Sequence, residues 1–218
     1  MKEKIIVSKD GPYLIEGNIP LKEEIVVNDK DGNPLKYKDG KKYDTRESCA
    51  LCRCGKSDSK PFCDGSHLDF FDGKLSAENK EYSKSCEVLE GPLINLGDKE
   101  ELCSGAGFCH RKGGTWELAT KKDEASKELA ICQCGNCPSG RLVAIDKKTN
   151  KPIEPKFEKS ISLIEHSQDG FSGPLWIKGG IEIESFDGIK YEKRNRVTLC
   201  RCGKSKNKPF CDGSHFED

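Results

Sequence analysis

A sixteen-residue string occurs twice in this chain, and it constrains the fold more than any other feature. Residues 52–67 read CRCGKSDSKPFCDGSH and residues 200–215 read CRCGKSKNKPFCDGSH, so the two differ only at Asp58/Lys206 and Ser59/Asn207. Repetition at this fidelity means two copies of one structural unit. The likeness extends upstream, where Gly11-Pro12-Tyr13-Leu14-Ile15-Glu16-Gly17 parallels Gly173-Pro174-Leu175-Trp176-Ile177-Lys178-Gly179, with a longer stretch before the motif in the N-terminal copy.

Each string has the spacing C-x-C-x8-C-x3-H: Cys52, Cys54, Cys63 and His67, then Cys200, Cys202, Cys211 and His215. Four soft or borderline donors within so short a stretch make a metal site. The close pair Cys52/Cys54 can reach one iron, and Cys63 with His67 a second, which suits a two-iron rhomb. Asp64 or Ser66 can cap a helix whose first turn carries the histidine, and Gly65 allows a tight turn beside the ligands. Structural zinc is the competing reading, because Cys3His is a tetrahedral zinc set, although zinc sites usually space their first pair as C-x2–4-C.

Thirteen cysteines is an odd number, and the N-terminus MKEKIIVSKDG has no apolar signal region, which argues against a secreted disulfide framework. Intracellular thiols read instead as ligands, so a cytoplasmic location is expected. No apolar run approaches the roughly 18–20 residues of a membrane span. Acidic and basic residues balance at 37 each, so no global field points to nucleic acid or an anionic membrane. Apolar residues make up only 34%, which predicts several thin cores held by metals rather than one deep core.

Short strands are predicted around turn residues. Ile181-Glu182-Ile183 and Ile189-Lys190-Tyr191 flank Asp187-Gly188, and Ile25-Val26-Val27 runs into the Asp31-Gly32-Asn33-Pro34 turn. Thr120 and Asp123 predict a capping box ahead of a helix over about Glu124–Ile131. Leu142–Ile145 and Lys151-Pro152-Ile153 read as a hairpin whose second arm the proline confines to an edge. Residues 85–158 are therefore a separate α+β unit between an N-terminal unit, 1–84, and a C-terminal unit, 159–218.

With Ser57, Pro61 and Phe62 in place, both strings resemble the CDGSH, or NEET-type, iron-sulfur family. The resemblance implies a redox-active, acid-labile [2Fe-2S] cluster on each Cys3His set, and two motifs packed about a two-fold axis, here as an intramolecular pseudo-dimer. In the middle, Cys103-Ser104-Gly105-Ala106-Gly107-Phe108-Cys109 with Cys137-Pro138 resembles half of a bacterial-type ferredoxin whose central cysteine is replaced by Ala106. Cys103, Cys109 and Cys137 would hold a [3Fe-4S] cluster, or a [4Fe-4S] cluster with a fourth ligand from Cys134, Cys132, Cys86 or His110. Zinc on Cys109, Cys132, Cys134 and Cys137, or no metal at all, are the competing readings of this unit.

The expected fold class is α+β, two small β-rich CDGSH units with an inserted ferredoxin-like unit. The expected function is electron transfer or cluster handling, with a redox protein or an apo-protein cluster acceptor as partner and no catalysis by the chain itself. A zinc-stabilised interaction module is the alternative. Cys49, Trp116 and Trp176 are expected as core residues, and His166 as an exposed loop residue. The chain is expected to be a monomer with an internal pseudo-two-fold.

Overall fold

The structure, a computed structural model, describes residues 2–166 and 170–216. Among the described residues thirteen strands run in order: β1 (Lys4–Val7), β2 (Tyr13–Glu16), β3 (Leu21–Asn28), β4 (Pro34–Tyr43), β5 (Ser48–Leu51), β6 (Glu87–Glu90), β7 (Ile94–Asp98), β8 (Leu142–Asp146), β9 (Pro152–Ile153), β10 (Ser160–His166), β11 (Phe171–Lys178), β12 (Glu182–Ser185) and β13 (Arg196–Leu199). The helices are α1 (Tyr82–Ser85), α2 (Thr115–Ala119) and α3 (Glu124–Asn136). Strands dominate and helices are few.

The two repeats build the same unit. In the first, β1 pairs antiparallel with β2 and β2 with β5; in the second, β10 pairs with β11 and β11 with β13. The registers correspond, Tyr13 facing Leu51 as Leu175 faces Leu199. The next strand of each copy then leaves its own sheet. β3 joins β10 of the second repeat in parallel, Leu21 beside Ile161, and β12 joins β1 of the first, Ile5 beside Ile183. The second repeat thus lends β12 to the first, and the first lends β3, with β4 paired on its outer edge, to the second, giving the orders β12-β1-β2-β5 and β13-β11-β10-β3-β4.

The exchange begins at matching glycines. Gly17 (φ 96°) and Gly179 (φ 74°) adopt left-handed backbone, and a Cβ at either would strike the chain entering the partner arm, at Glu3 or at Lys159. Glycine alone takes that conformation without cost to a side chain. The core between the sheets is shared accordingly: Ile5, Val7, Tyr13 and Ile15 pack with Leu163, Leu175, Ile177, Ile183 and Leu199. A buried ion pair, Lys178 to Glu24 at 2.8 Å, ties β11 to β3, and Lys4 to Glu184 at 2.7 Å ties β1 to β12.

Between the repeats, β6, β7, β8 and β9 form an antiparallel sheet backed by α2 and α3 around Ile94, Leu96, Leu118, Ala130, Cys134 and Leu142. Pro152 lies in the two-residue edge strand β9, as the sequence predicts. Asp123 caps α3 by accepting from the Ser126 N–H, but Thr120 takes no part, its hydroxyl donating to the Glu117 carbonyl. α3 also continues past Ile131 to Asn136, because Cys132 to Asn136 contains no residue that forbids helix and Cys134 finds a buried place.

Two further expectations change. Ile189–Tyr191 forms only a single bridge, Glu184 to Lys190, because β12 spends its other edge on β1 and the turn at Asp187-Gly188 leads out of the sheet. His166 is not an exposed loop residue; it ends β10, is 7% exposed and stacks on Phe171 with ring centroids 4.4 Å apart. Trp176 is buried and Trp116 and Cys49 are partly buried against their cores. Among the described residues no helix is long and apolar enough to cross a membrane.

Candidate metal centres

In both copies the strand before the motif delivers the first two cysteines and a turn closes back over it. Cys52 N–H donates to the Pro61 carbonyl and Cys63 N–H to Ala50; Cys200 N–H donates to Pro209 and Cys211 N–H to Thr198, all at 2.9–3.0 Å. Lys60–Pro61 and Lys208–Pro209 are both cis. The Ser57 and Ser205 hydroxyls donate to the Phe62 and Phe210 carbonyls. Asp64 accepts from the Asp58 N–H, the Ser66 N–H and the Ser66 hydroxyl, and Asp212 accepts the same three bonds from Lys206 and Ser214. These bonds, Ser66 first, hold the Asp64 carboxyl well below its ordinary range. The aspartate therefore clamps the loop rather than coordinating. The predicted helix at the histidine is only a turn, 3-10 in the second copy.

The donors fall into close pairs. Cys52 Sγ lies 3.7 Å from Cys54 Sγ, and Cys63 Sγ 3.3 Å from His67 Nδ1; the second copy gives 3.6 Å for Cys200/Cys202 and 3.5 Å for Cys211/His215 Nδ1. Two donors on one tetrahedral ion stand roughly 3.5–3.8 Å apart. Among the described residues no three His, Cys, Asp or Glu side chains converge as a single ion would need. A cavity of about 360 Å³ opens beside Cys202 and His215 and is also walled by Cys52, Phe171 and Arg201.

The electrostatics call for a cation. Burial pushes the Cys211 thiol up, and burial likewise raises Cys54. Cys200 and Cys202 cannot both ionise side by side: their shared hydrogen bond holds Cys200 down and drives Cys202 up. Burial, with His166 and Arg201 adding repulsion, lowers the His215 imidazole to about 4, so it is a neutral donor at physiological pH. Its Nε2 is buried without a hydrogen-bond partner. Buried thiols and a neutral imidazole with open space beside them fit a metal cluster, which replaces their protons with positive charge.

Sequence reasoning missed the arginine inside each C-x-C. Arg53, 1% exposed, donates to the carbonyls of Gly11, Gly73 and Ser8, while Arg201 donates to Gly173 and Ile164 and pairs with Glu165. Their repetition between ligands was the available signal. Each lashes the ligand loop to the Gly-Pro corner of its own repeat, fixing the direction of the two thiols. The loops also touch each other: a Cβ on Gly55 would stand 2.6 Å from the Cys202 carbonyl oxygen, and one on Gly203 2.7 Å from that of Cys54.

In the middle unit, Cys103, Cys109 and Cys137 line one cleft with Gly105, Ala106, Gly107 and Arg141. Burial pushes Cys109 up to about 12, reinforced by Cys137 and Cys103. Arg141 grips Asp98 in a two-bond fork, 2.7 and 3.0 Å, and Trp116 Nε1 donates to the same carboxylate. The fork holds the guanidinium beside the Cys103 thiol. Of the proposed fourth ligands, Cys134 is fully buried in the helical core, Cys132 is exposed near Asn136, Cys86 lies beside Gly97, and His110 packs near Trp116. The cleft lining contains three thiols and none of these four side chains.

Two family models match segments that contain these residues. One described as "Iron-binding zinc finger CDGSH type" matches residues 10–68 and again 172–216, and one described as "Divergent 4Fe-4S mono-cluster" matches residues 89–147. The chain is a tandem CDGSH iron-sulfur protein with a divergent 4Fe-4S segment between its copies. Both CDGSH matches end around their histidines, His67 and His215, and the middle match contains Cys103, Cys109 and Cys137. No curated protein and no solved structure matches the tandem CDGSH chain.

Proposed function

We propose that this protein is a three-centre electron carrier or cluster-handling protein. Cys52, Cys54, Cys63 and His67 would hold one [2Fe-2S] cluster and Cys200, Cys202, Cys211 and His215 another, within an intramolecular pseudo-dimer. The carrying observation is the pairing of donors in both copies: two thiols at 3.6–3.7 Å and a thiol with an imidazole nitrogen at 3.3–3.5 Å. That is two ligands per iron, twice. The reciprocal strand exchange and the Gly55/Gly203 contacts support the pseudo-two-fold.

Cys103, Cys109 and Cys137 would hold the third centre. Three thiolates suit a [3Fe-4S] cluster, or a [4Fe-4S] cluster whose fourth iron takes a ligand other than cysteine. Such clusters supply one-electron redox chemistry; the chain's residues position them, exclude water from the thiolates and set their charge. An imidazole in place of one thiolate makes each terminal centre less negative and raises its potential. We read the chain as a non-catalytic carrier whose partner is a redox protein or an apo-protein acceptor.

Quantitation of iron, zinc and acid-labile sulfide on anaerobic protein, with EPR of oxidised and reduced samples, tests this. Red-brown protein with sulfide and reduced-state signals from two CDGSH sites is expected. An additional oxidised-state signal identifies three irons in the middle, and an additional reduced-state signal identifies four. Colourless protein with zinc and no sulfide would falsify the reading and leave a scaffold in its place.

A further inference from the structure

We propose that the three sites are strung in a fixed order, with the C-terminal motif between the middle thiols and the N-terminal motif. An electron taken up at the middle site then reaches the N-terminal motif by way of the C-terminal one. The proposal rests on the cluster reading above.

Four contacts join the middle site to the C-terminal motif. Arg196, four residues ahead of Cys200 and 1% exposed, donates to the carbonyls of Cys137 and Cys134, both at 2.8 Å. Both carbonyls lie at the end of α3 and already accept a backbone N–H, Cys134 from Cys137 and Cys137 from Gly140, so the buried guanidinium adds a second bond to each and complements the helix dipole. Asn207 Nδ2 donates to the Glu101 carbonyl at 2.8 Å. Gly213, between Cys211 and His215, faces Cys103: a Cβ there would lie 3.3 Å from the Cys103 carbonyl oxygen. The Phe216 ring covers Gly105 of the thiol loop and packs on His215 with centroids 4.3 Å apart. Ligand-bearing loops are thus in direct contact.

The second link is the back-to-back packing of Gly55 on Cys202 and of Gly203 on Cys54. By contrast, the N-terminal unit reaches the middle unit through its β3–β4 hairpin and through Tyr82, whose hydroxyl donates to the Arg141 carbonyl. Tyr37 donates to the Asn136 carbonyl, Leu35 accepts from Arg111, and Pro34 abuts Gly107. These contacts lie well outside residues 52–67. The N-terminal motif is also the open end, since Cys63 and His67 are half-buried and Leu68 and Phe70 are 79% and 55% exposed.

A one-electron carrier protein would reduce the middle site. That site is reoxidised as the C-terminal site gains the electron, and the C-terminal site is reoxidised as the N-terminal site gains it. The chain contributes no electron of its own.

The test is EPR of the full-length, dithionite-reduced protein, comparing wild type, Cys211→Ser and Cys63→Ser after iron and sulfide counting. In wild type the C-terminal signal is expected to be broadened by both neighbours. In Cys63→Ser the broadening from the middle centre persists, and in Cys211→Ser the N-terminal signal sharpens to that of an isolated centre. Should Cys211→Ser not fold, Cys63→Ser alone decides, because a C-terminal signal free of broadening there overturns the order. Loaded wild type whose spectrum is a sum of isolated centres overturns it too. A middle site without iron or sulfide overturns the cluster reading as well, and the metal count separates that failure from the others.

Discussion

The two CDGSH motifs share fourteen of sixteen residues and nearly every internal hydrogen bond, yet they sit in different surroundings. At the N-terminal copy, Cys63 and His67 are half-buried beside the exposed Leu68 and Phe70. At the C-terminal copy, Cys211 and His215 are 2% and 7% exposed, and Phe171 and Phe216, both packed on His166, enclose the imidazole. The motif specifies which donors meet. The strands and tails around it specify how much water reaches them, and hence the lifetime and potential of whatever they hold.

What the copies share is most sharply tested at their mutual contact. Gly55 and Gly203 both have left-handed backbone, φ 79° and 82°, and a Cβ on either meets a carbonyl oxygen of the other loop. Backbone strain of about 1–2 kcal/mol adds to a collision with main chain that no rotamer relieves. Gly55→Ala and Gly203→Ala should each cost roughly 3–4 kcal/mol, lowering Tm by roughly 6–16 °C, and should do so equally. A thermal scan in which only one of the two is destabilised breaks the reciprocity of the packing.

Where the copies differ, the exchanged strands supply a second test. Lys178–Glu24 crosses one exchange with side chains 6% and 8% exposed, while Lys4–Glu184 crosses the other with 24% and 18%. Glu24→Gln leaves a buried ammonium without its carboxylate, at about 3 kcal/mol; Glu184→Gln should leave the unfolding midpoint almost where it was. Burial already holds the Lys178 pKa below 10.5, with Glu24 opposing. In that interval the unfolded chain binds the proton more tightly, so this group's contribution to stability rises with pH. Glu24→Gln lowers the folded value further. Its penalty should be full at low pH and shrink as pH climbs through the interval between the two folded values. Chemical unfolding across that range measures it, and a penalty independent of pH would show that the lysine is hydrated.

The same contrast marks what could be read in the sequence. Cys52 to His67 and its copy are legible because ligand spacing is local, and so are the Asn28–Pro34 turn, the Asp123 cap and the edge placement of Pro152. The reciprocal loan of β3 and β12 is not, because parallel pairing of Ile5 with Ile183 depends on which sheet edges meet across most of the chain. Only the matching Gly17 and Gly179 hint at it. His166 looked like a polar loop residue because its burial comes from Phe171 and Phe216, which lie beyond it in the chain. Arg196 carries no local mark; its role appears only when α3 ends against it.

The mildest prediction isolates that enclosure. Phe171 stacks on His166 and faces His215 at 6.1 Å between centroids, whereas the contact with the middle thiol loop belongs to Phe216. Phe171→Ala therefore opens the C-terminal site to water while keeping the Phe216 ring that covers Gly105, at the loss of that ring's edge-to-face partner 4.7 Å away. On mild acidification wild type should lose visible absorbance in two phases, a fast one from the exposed N-terminal centre and a slow one from the enclosed C-terminal centre. In Phe171→Ala the slow phase should quicken about 3–10-fold toward the fast one, which corresponds to about 0.7–1.4 kcal/mol of barrier, while the fast phase stays put. Visible circular dichroism resolves the two. Equal acceleration of both phases would assign the effect to global loosening, and a single phase in wild type would mean that the burial difference does not govern how long each centre survives.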